Sequence, residues 1–214
     1  DELDKNEPRT YIPTYKVGKE ESLIPEKDLA IASEKEGASY LVICAFNIED
    51  RECTSSKAIL GAGRTVYASK DNIYVAMTKW KESLNNNIVT GSQETMIIGF
   101  SIKDGILGEP ITGTVPGYEI NQFAMDEHKG YLRIVTTETK ESYEKIKYKD
   151  GITAIRLRGE QEASNGIYVL DKKLKIVGGL SGLAPNEYVY SVRFYGDIAY
   201  FVTFRQVDPL FSVD

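Results

Sequence analysis

From about residue 38 to the end of the chain, hydrophobic-rich runs of four to twelve residues are separated by polar or glycine-containing clusters. These runs are rich in Val, Ile, Tyr, Phe and Thr and are bounded by Gly, Asn, Asp or Lys, as in SYLVICAFNIED, NIYVAMTKW, ETMIIGFSIKDG, YLRIVTTET and IAYFVTFR. Runs of this length and composition with such boundaries are typical of β-strands. Because helical periodicity is almost absent, the pattern predicts an all-β protein.

Residues 1–37 are polar and irregular by comparison. They contain Pro8, Pro13 and Pro25, and the segment KDLAIASEKEG is too short for more than one or two helical turns. We therefore predict an irregular N-terminal segment over 1–37 and a β-rich unit over 38–214.

Two elements recur along the β-rich part. One is a turn followed by a strand that carries a tyrosine, and the other is a strand that ends in an acidic turn. The tyrosines are Tyr74, Tyr131 and Tyr200, and the acidic turns end at Asp50, Asp104, Asp171 and Asp214. The distances from each acidic turn to the next tyrosine are 24, 27 and 29 residues. Such regular spacing indicates a repeated structural unit.

A four-stranded unit with constant hairpins and variable connections is typical of a β-propeller blade. The spacing places one blade at about 65–117, a second at 120–184 and an incomplete third at 189–214, after the outer half of a preceding one. The fold predicted is a partial β-propeller of about three four-stranded antiparallel blades in an arc. The recurring tyrosines are predicted to pack between blades.

The only histidine of the chain, His128, follows two acids in the segment MDEHKG. Aligned on the repeats, His128 occupies a turn position that is an aspartate in the other units. Asp126 and Glu127 are adjacent, so on a strand their side chains point to opposite faces and do not form a catalytic pair. We predict structural roles for all three residues and no catalytic residue.

Two long connections, 81–93 and 140–165, both join the second strand of a blade to the third. They therefore emerge on the same face, and the run ITAIRLR within the second is a candidate for an additional strand. Trp80, Tyr143 and Tyr148 lie at or inside these connections and are the candidate residues for contact with a partner. In FRQVDPLF, Arg205 and Asp208 flank a turn; we expect an ion pair that fixes this turn, with a surface recognition pair as the alternative.

Charge and composition exclude several classes of function. The net charge is −6, from 26 basic and 32 acidic side chains, and no basic stripe offers a site for nucleic acid. No apolar run approaches the roughly 18 residues of a membrane-spanning helix. The chain opens without a methionine or a leader, so we expect it to be part of a longer protein.

The two cysteines, Cys44 and Cys53, flank a predicted hairpin turn near residue 50. That register places Cys44 opposite about residue 57, so a disulfide needs a shifted register or a bulge. Free thiols are favoured. With one histidine and two thiols distant from it, a zinc site lacks ligands, and we predict no metal and no cofactor.

Three segments also resemble a known family: VYASKDNIYVA, GTVPGYEINQFAMDEHKGYLRIVTT and YSVRFYGDIAYFVTFRQVDPLFSVD. They are similar to bacterial and archaeal secreted proteins with a C-terminal β-propeller domain of uncharacterised function, over about residues 38–214. His128 and Lys129 depart from the aromatic and asparagine more common there, and 140–165 is an enlarged loop. The resemblance implies an extracytoplasmic propeller with several more blades.

The function expected is that of a non-enzymatic binding or scaffolding module, with a protein or polysaccharide at the cell surface as its partner. The alternatives are a hydrolase or sugar-processing module with acids near the propeller axis, and a purely structural repeat. Open blade edges also predict self-association.

Overall fold

The computed structural model describes residues 7, 11–32, 39–61, 63, 65–148, 153–159, 161–204 and 210–213. Within these residues the chain forms eighteen β-strands, and its helical elements are two 3-10 turns, Glu26–Asp28 and Gln122–Ala124. The prediction of an all-β partial propeller is confirmed.

The N-terminal part holds five strands in two sheets. A separate hairpin pairs β1 (Thr14–Val17) with β2 (Glu20–Leu23). The first blade contains β3 (Leu29–Ile31), β4 (Tyr40–Asn47) and β5 (Glu52–Leu60), in the order β3-β5-β4.

Two four-stranded antiparallel blades follow. The second blade contains β6 (Thr65–Ala68), β7 (Asn72–Asn85), β8 (Ile88–Lys103) and β10 (Ile111–Pro116), with the short β9 (Ile106–Leu107) beside β8. The third contains β11 (Met125–His128), β12 (Tyr131–Lys147), β14 (Glu162–Leu170) and β15 (Ile176–Leu183), and β13 (Thr153–Leu157) also pairs with β12.

The fourth blade has three strands among the described residues. They are β16 (Tyr188–Tyr195), β17 (Ile198–Phe204) and β18 (Leu210–Val213), paired antiparallel in chain order.

The N-terminal segment is less irregular than its composition predicts. Its strands have only three or four residues, which is too short for a visible alternation, and β3 pairs parallel with β5. A buried lysine fixes this part of the chain, because Lys57 of β5 donates to the Asp28 carboxylate at 2.8 Å. A buried cation needs such a partner, so this ion pair ties the turn before β3 to the first blade.

Alternate side chains of each central strand pack against different neighbouring blades. On β7, Val75 packs toward the first blade with Phe100, whereas Tyr74 and Ala76 pack toward the third blade. On β12, Ile134 joins the same cluster as Tyr74, and the next residue, Val135, joins Phe201 of the fourth blade. The two-residue period of a strand therefore produces three successive inter-blade cores.

The recurring tyrosines are not equivalent in the structure. Tyr74 is buried between blades and stacks on Tyr67 of β6 with ring centroids 6.1 Å apart. Tyr131 pairs with His128 at the end of its hairpin and is 46% exposed. The prediction of inter-blade packing is therefore wrong for Tyr131, because the shorter turn of the third blade places this residue beyond the interface.

The two cysteines are free thiols that lie near each other on the first blade. Cys44 pairs with Ser56, and a bulge after Ala45 makes Phe46 the partner of Cys53. Burial raises the pKa of the Cys44 thiol, and the neighbouring Cys53 thiol raises it further. Cys44 is therefore protonated and weakly nucleophilic at neutral pH.

The end blades expose apolar side chains on their outward faces. Tyr188 and Phe204 are direct partners on the fourth blade, Tyr190 contacts Phe204 with ring centroids 6.2 Å apart, and all three are exposed. On the first blade Val42 and Phe46 are exposed as well. Contiguous exposed aromatic surface of this kind favours association.

We therefore predict that the isolated chain self-associates through its end blades. Sedimentation velocity at increasing protein concentration should show dimers or larger species. The double substitution Tyr190→Lys with Phe204→Lys should shift the chain toward monomer, because charges oppose burial of that face. Val177→Lys, at an exposed apolar position on β15, is the matched control and should not change association. A strict monomer at high concentration would contradict the prediction.

Candidate functional site

The two long connections form strands rather than loops. β7 and β8 extend beyond the second blade as far as a turn at Asn86 and Asn87, whose φ angles are 48° and 65°. Positive φ at both central residues defines a type I′ hairpin turn, and asparagine tolerates it well. The asparagine-rich segment 81–93 is therefore the tip of a long hairpin.

β12 extends in the same direction and pairs with the tip of β8. The register runs from Lys140 opposite Ser92 to Glu144 opposite Ile88. The run ITAIRLR supplies β13, which pairs with the other edge of β12. The result is a four-stranded antiparallel ribbon in the order β7-β8-β12-β13, made of residues 80–85, 88–93, 140–147 and 153–157, which joins the second blade to the third.

The strand register places one set of side chains on a single face of this ribbon. Leu84 and Tyr143 both lie opposite Val89, and Tyr143 lies in turn opposite Leu157. Directly opposite residues of an antiparallel pair share a face. We call this set the ribbon face; its members are Trp80, Glu82, Leu84, Tyr143, Lys145, Ile155 and Leu157.

Three polar contacts hold the centre of the ribbon face together. The Tyr143 hydroxyl donates to Glu82 Oε1 at 2.6 Å, and the Trp80 indole N–H donates to the same oxygen at 3.2 Å. Lys145 Nζ lies 3.9 Å from Glu82 Oε2 and 5.8 Å from the centroid of the Tyr143 ring. Residues from two separate connections therefore meet at one carboxylate.

The position of Trp80 depends on a glycine of the neighbouring strand. A Cβ atom added at Gly91 would lie 2.1 Å from Cζ2 of the indole. No side-chain carbon can approach another atom so closely, so the ring lies across a space that only glycine leaves open.

The electrostatics of this group keep Glu82 charged. The hydrogen bond from Tyr143 lowers the pKa of the Glu82 carboxyl, and Trp80 and Lys145 lower it further. The same bond raises the pKa of the Tyr143 hydroxyl. At neutral pH the centre of the ribbon face is therefore an anion with a neutral phenol bound to it, which is a poor arrangement for a general acid.

The side chains around this anion are apolar and unusually exposed. Leu157 is 72% exposed, Leu84 68%, Ile155 64% and Trp80 43%. Isolated exposed apolar residues are common on protein surfaces, but a contiguous set on one sheet face is typical of a contact surface.

The predicted contact residues have different outcomes. Trp80 and Tyr143 converge on Glu82, whereas Tyr148 lies beyond the end of β12, is 53% exposed and is not part of the ribbon face. Arg205 and Asp208 lie outside the described residues. Leu84, Ile155 and Leu157 were not identified from the sequence, although the alternation in KESLN and TAIRL could have indicated them.

The acids near the innermost strands have structural partners. Asp126 accepts two hydrogen bonds from Arg133, at 2.5 and 3.1 Å. Glu127, on the opposite face, accepts from Ser69 at 2.5 Å and from Asn72 at 2.8 Å and so joins the second blade to the third. In the described part of the chain no three His, Cys, Asp or Glu side chains are grouped as a metal site would require.

His128 and Lys129 contact the fourth blade through one carboxylate. Lys129 Nζ lies 2.6 Å from Asp197 Oδ1, and His128 Nε2 lies 2.8 Å from the same oxygen. Both contacts lower the pKa of Asp197, with Lys129 making the larger contribution. The histidine, predicted in a turn, is the last residue of β11 and is part of an inter-blade contact with the turn at Asp197.

Comparisons with known proteins identify the family. A profile described as the β-propeller domain matches residues 1–214, and the chain belongs to this family. It is 42% identical over 103 residues to an uncharacterised protein of Methanocaldococcus jannaschii. The aligned region covers 48% of this chain and 14% of that protein. It is also 36% identical over 122 residues to an uncharacterised protein of Archaeoglobus fulgidus. That aligned region covers 57% of this chain and 16% of that protein.

The matched region is thus a small part of each relative's length. No solved structure matches the chain significantly. In the described residues, no helix has the length and apolar character needed to span a membrane.

Replacing Gly91 with alanine should displace the indole of Trp80. Because Trp80 is the only tryptophan of the chain, its fluorescence reports on the ribbon face alone, and we expect a red shift of the emission maximum. Gly178→Ala is the control, since a Cβ there meets no atom within 4 Å. An unchanged emission spectrum in the Gly91→Ala variant would show that the ring does not lie across this glycine.

Replacing Asp197 with asparagine should lower the free energy of unfolding at neutral pH. A folded pKa below the unfolded value of about 3.9 stabilises the fold above that value, and the contribution disappears as the pH falls through the folded pKa. Urea unfolding at about pH 7 and about pH 2 should therefore show a difference from the parent chain only at the higher pH. Asp71→Asn, in the corresponding turn of the second blade, should show little difference at either pH; an equal loss in both variants would contradict this role of Asp197.

Proposed function

We propose that this propeller segment is a non-enzymatic binding or scaffolding module of a secreted or cell-surface protein, and that the ribbon face contacts its partner. The observation that carries the proposal is the convergence of Trp80 and Tyr143, from separate connections, on one anionic carboxylate within an exposed apolar surface.

The continuous strand pairing of the ribbon supports a binding role. Trp80 is fixed by Gly91 and Glu82, and the strands beneath it are hydrogen-bonded along their length. A surface that is ordered before it meets its partner loses little conformational entropy on binding. Aromatic side chains on a rigid support are also common among the residues that dominate binding energy.

The chemistry of the ribbon face favours a protein partner over a polysaccharide. Leu84, Ile155 and Leu157 form an aliphatic surface without hydrogen-bonding groups, which complements an apolar protein surface. Trp80 with Glu82 offers a ring and an acceptor that a sugar could also use. The two partner classes are therefore separate outcomes of the experiment below.

Catalysis has less support at either candidate location. On the ribbon face Glu82 is held as an anion, and near the axis Asp126 is paired with Arg133. A glycosidase-like mechanism needs one carboxyl group with a raised pKa and a second, ionised one nearby. The pKa of Glu82 is lowered, so Glu82 does not fit the first of these roles, and Asp126 is engaged by Arg133. Secretion is supported by the resemblance to secreted proteins.

The test compares binding of surface ligands from the source organism by the parent protein and by substituted proteins. Purified surface proteins and purified surface polysaccharides are titrated separately. Trp80→Ala and Leu157→Ser should each weaken binding about tenfold or more, as truncation of a central contact residue costs about 2 kcal/mol. Ser83→Ala, on the opposite face of the ribbon, should have no effect, and circular dichroism verifies folding. Unchanged binding in both ribbon-face variants, or a turnover that Asp126→Asn or Glu127→Gln abolishes, would overturn the proposal.

A further inference from the structure

A second surface of the molecule has the properties of a ligand site and lies apart from the ribbon face. It is a cavity of about 570 Å³ lined by the innermost strands of three successive blades, β6, β11 and β16. The 3-10 turn before β11 contacts both β6 and β16, so the three strands converge there. The cavity therefore faces the axis around which the blades are arranged.

An exposed phenylalanine is held at the rim of this cavity. Phe123 lies in the 3-10 turn and is 56% exposed. Its backbone N–H donates to the Asn121 side chain at 2.9 Å, which caps and fixes the turn. A large apolar ring on a capped turn is thus presented to solvent at a site where three blades meet.

The guanidinium of Arg193 lies over this ring at 5.2 Å from the centroid. Its Nη1 donates to the neighbouring carbonyl of Val192 at 2.9 Å, which orients the group. A guanidinium has five N–H donors, and in the described part of the chain Arg193 has no carboxylate partner. Arg193 therefore retains donors for a ligand.

The other charged residue of the cavity lining, Asp126, is paired with Arg133, which is not among the lining residues. Arg133 donates to Asp126 and to the carbonyl oxygen of Gly196, and it stacks on the Phe194 ring at 4.9 Å. The charge that remains at the cavity is that of Arg193. The surrounding walls are aromatic and aliphatic and include Tyr67, Met125 and Phe194.

We propose that this axial cavity binds a carboxylate carried on an aromatic or other apolar body. Arg193 pairs with the carboxylate, because a planar guanidinium matches two carboxylate oxygens. Phe123 and the apolar walls contact the body of the ligand. The carboxylate could belong to the end of a peptide or to a free organic acid; the chemistry of recognition is the same for both.

The direct test is an NMR titration of the ¹⁵N-labelled chain with two matched probes, N-acetyl-L-phenylalanine and its neutral amide. The acid should bind about tenfold more tightly than the amide, since a charge-assisted hydrogen bond contributes about that factor. The largest shifts should fall on residues 122–126 and 192–194. Arg193→Gln should remove the preference for the acid. Phe123→Leu should instead weaken the binding of the acid and of the amide to the same extent.

Arg156→Gln, an exposed arginine on the ribbon, is the control and should leave both affinities unchanged. A short peptide ending in phenylalanine, compared with its amidated form, distinguishes the two sources. Tighter binding of the peptide than of the single amino acid indicates a peptide ligand, and equal binding indicates a small acid. Equal affinity for acid and amide, a preference that survives Arg193→Gln, or the absence of shifts at the axial residues would overturn the proposal.

Discussion

Consecutive side chains of each central strand point to opposite faces of its blade, and a different neighbouring blade covers each face. The rest of the structure depends on this arrangement. On β7 and β12, adjacent residues such as Ile134 and Val135 belong to separate inter-blade cores. Both faces of these strands are therefore buried along their central parts, and buried polar residues there, such as Arg133 and Thr137 of β12, have hydrogen-bond partners. A shift of one residue in register would exchange the two cores, so the register of each blade is strongly constrained.

Polar contacts between neighbouring blades supplement this apolar packing. Glu127 reaches back to Ser69 and Asn72 of the preceding blade, and Arg133 reaches forward to the carbonyl oxygen of Gly196 in the following one. Partly buried hydrogen-bonded groups of this kind favour one arrangement over similar alternatives. The acids and the histidine near position 127 thus contribute to the order of the blades.

The sequence predicted the blade hairpins because their strands are apolar and their turns are regularly spaced. The pairing of the ribbon strands was not predicted. Residues 81–85 and 140–147 are polar on one face of the ribbon and solvent-exposed on the other, so they lack the composition typical of a buried strand. The contact between Trp80, Glu82 and Tyr143 depends on pairing across about 60 residues, which no local pattern encodes. Tyr131 was wrongly predicted to pack between blades, because it was aligned with Tyr74 by sequence spacing alone. The turn of its hairpin is shorter than the turn before Tyr74, so the two tyrosines occupy different positions in their hairpins.

The proposed role of the ribbon requires that the long connections form a stable, hydrogen-bonded surface that joins two blades. Hydrogen–deuterium exchange of the free chain tests it most directly, because backbone amides in a paired ladder exchange slowly and those in loops exchange rapidly. We expect the amides along the pairing of β8 with β12, from Ser92 to Ile88 and from Lys140 to Glu144, to be protected to nearly the same degree as those between β7 and β8 within the second blade. Exchange in this region as fast as at the exposed turn of Asp104 and Gly105 would contradict it.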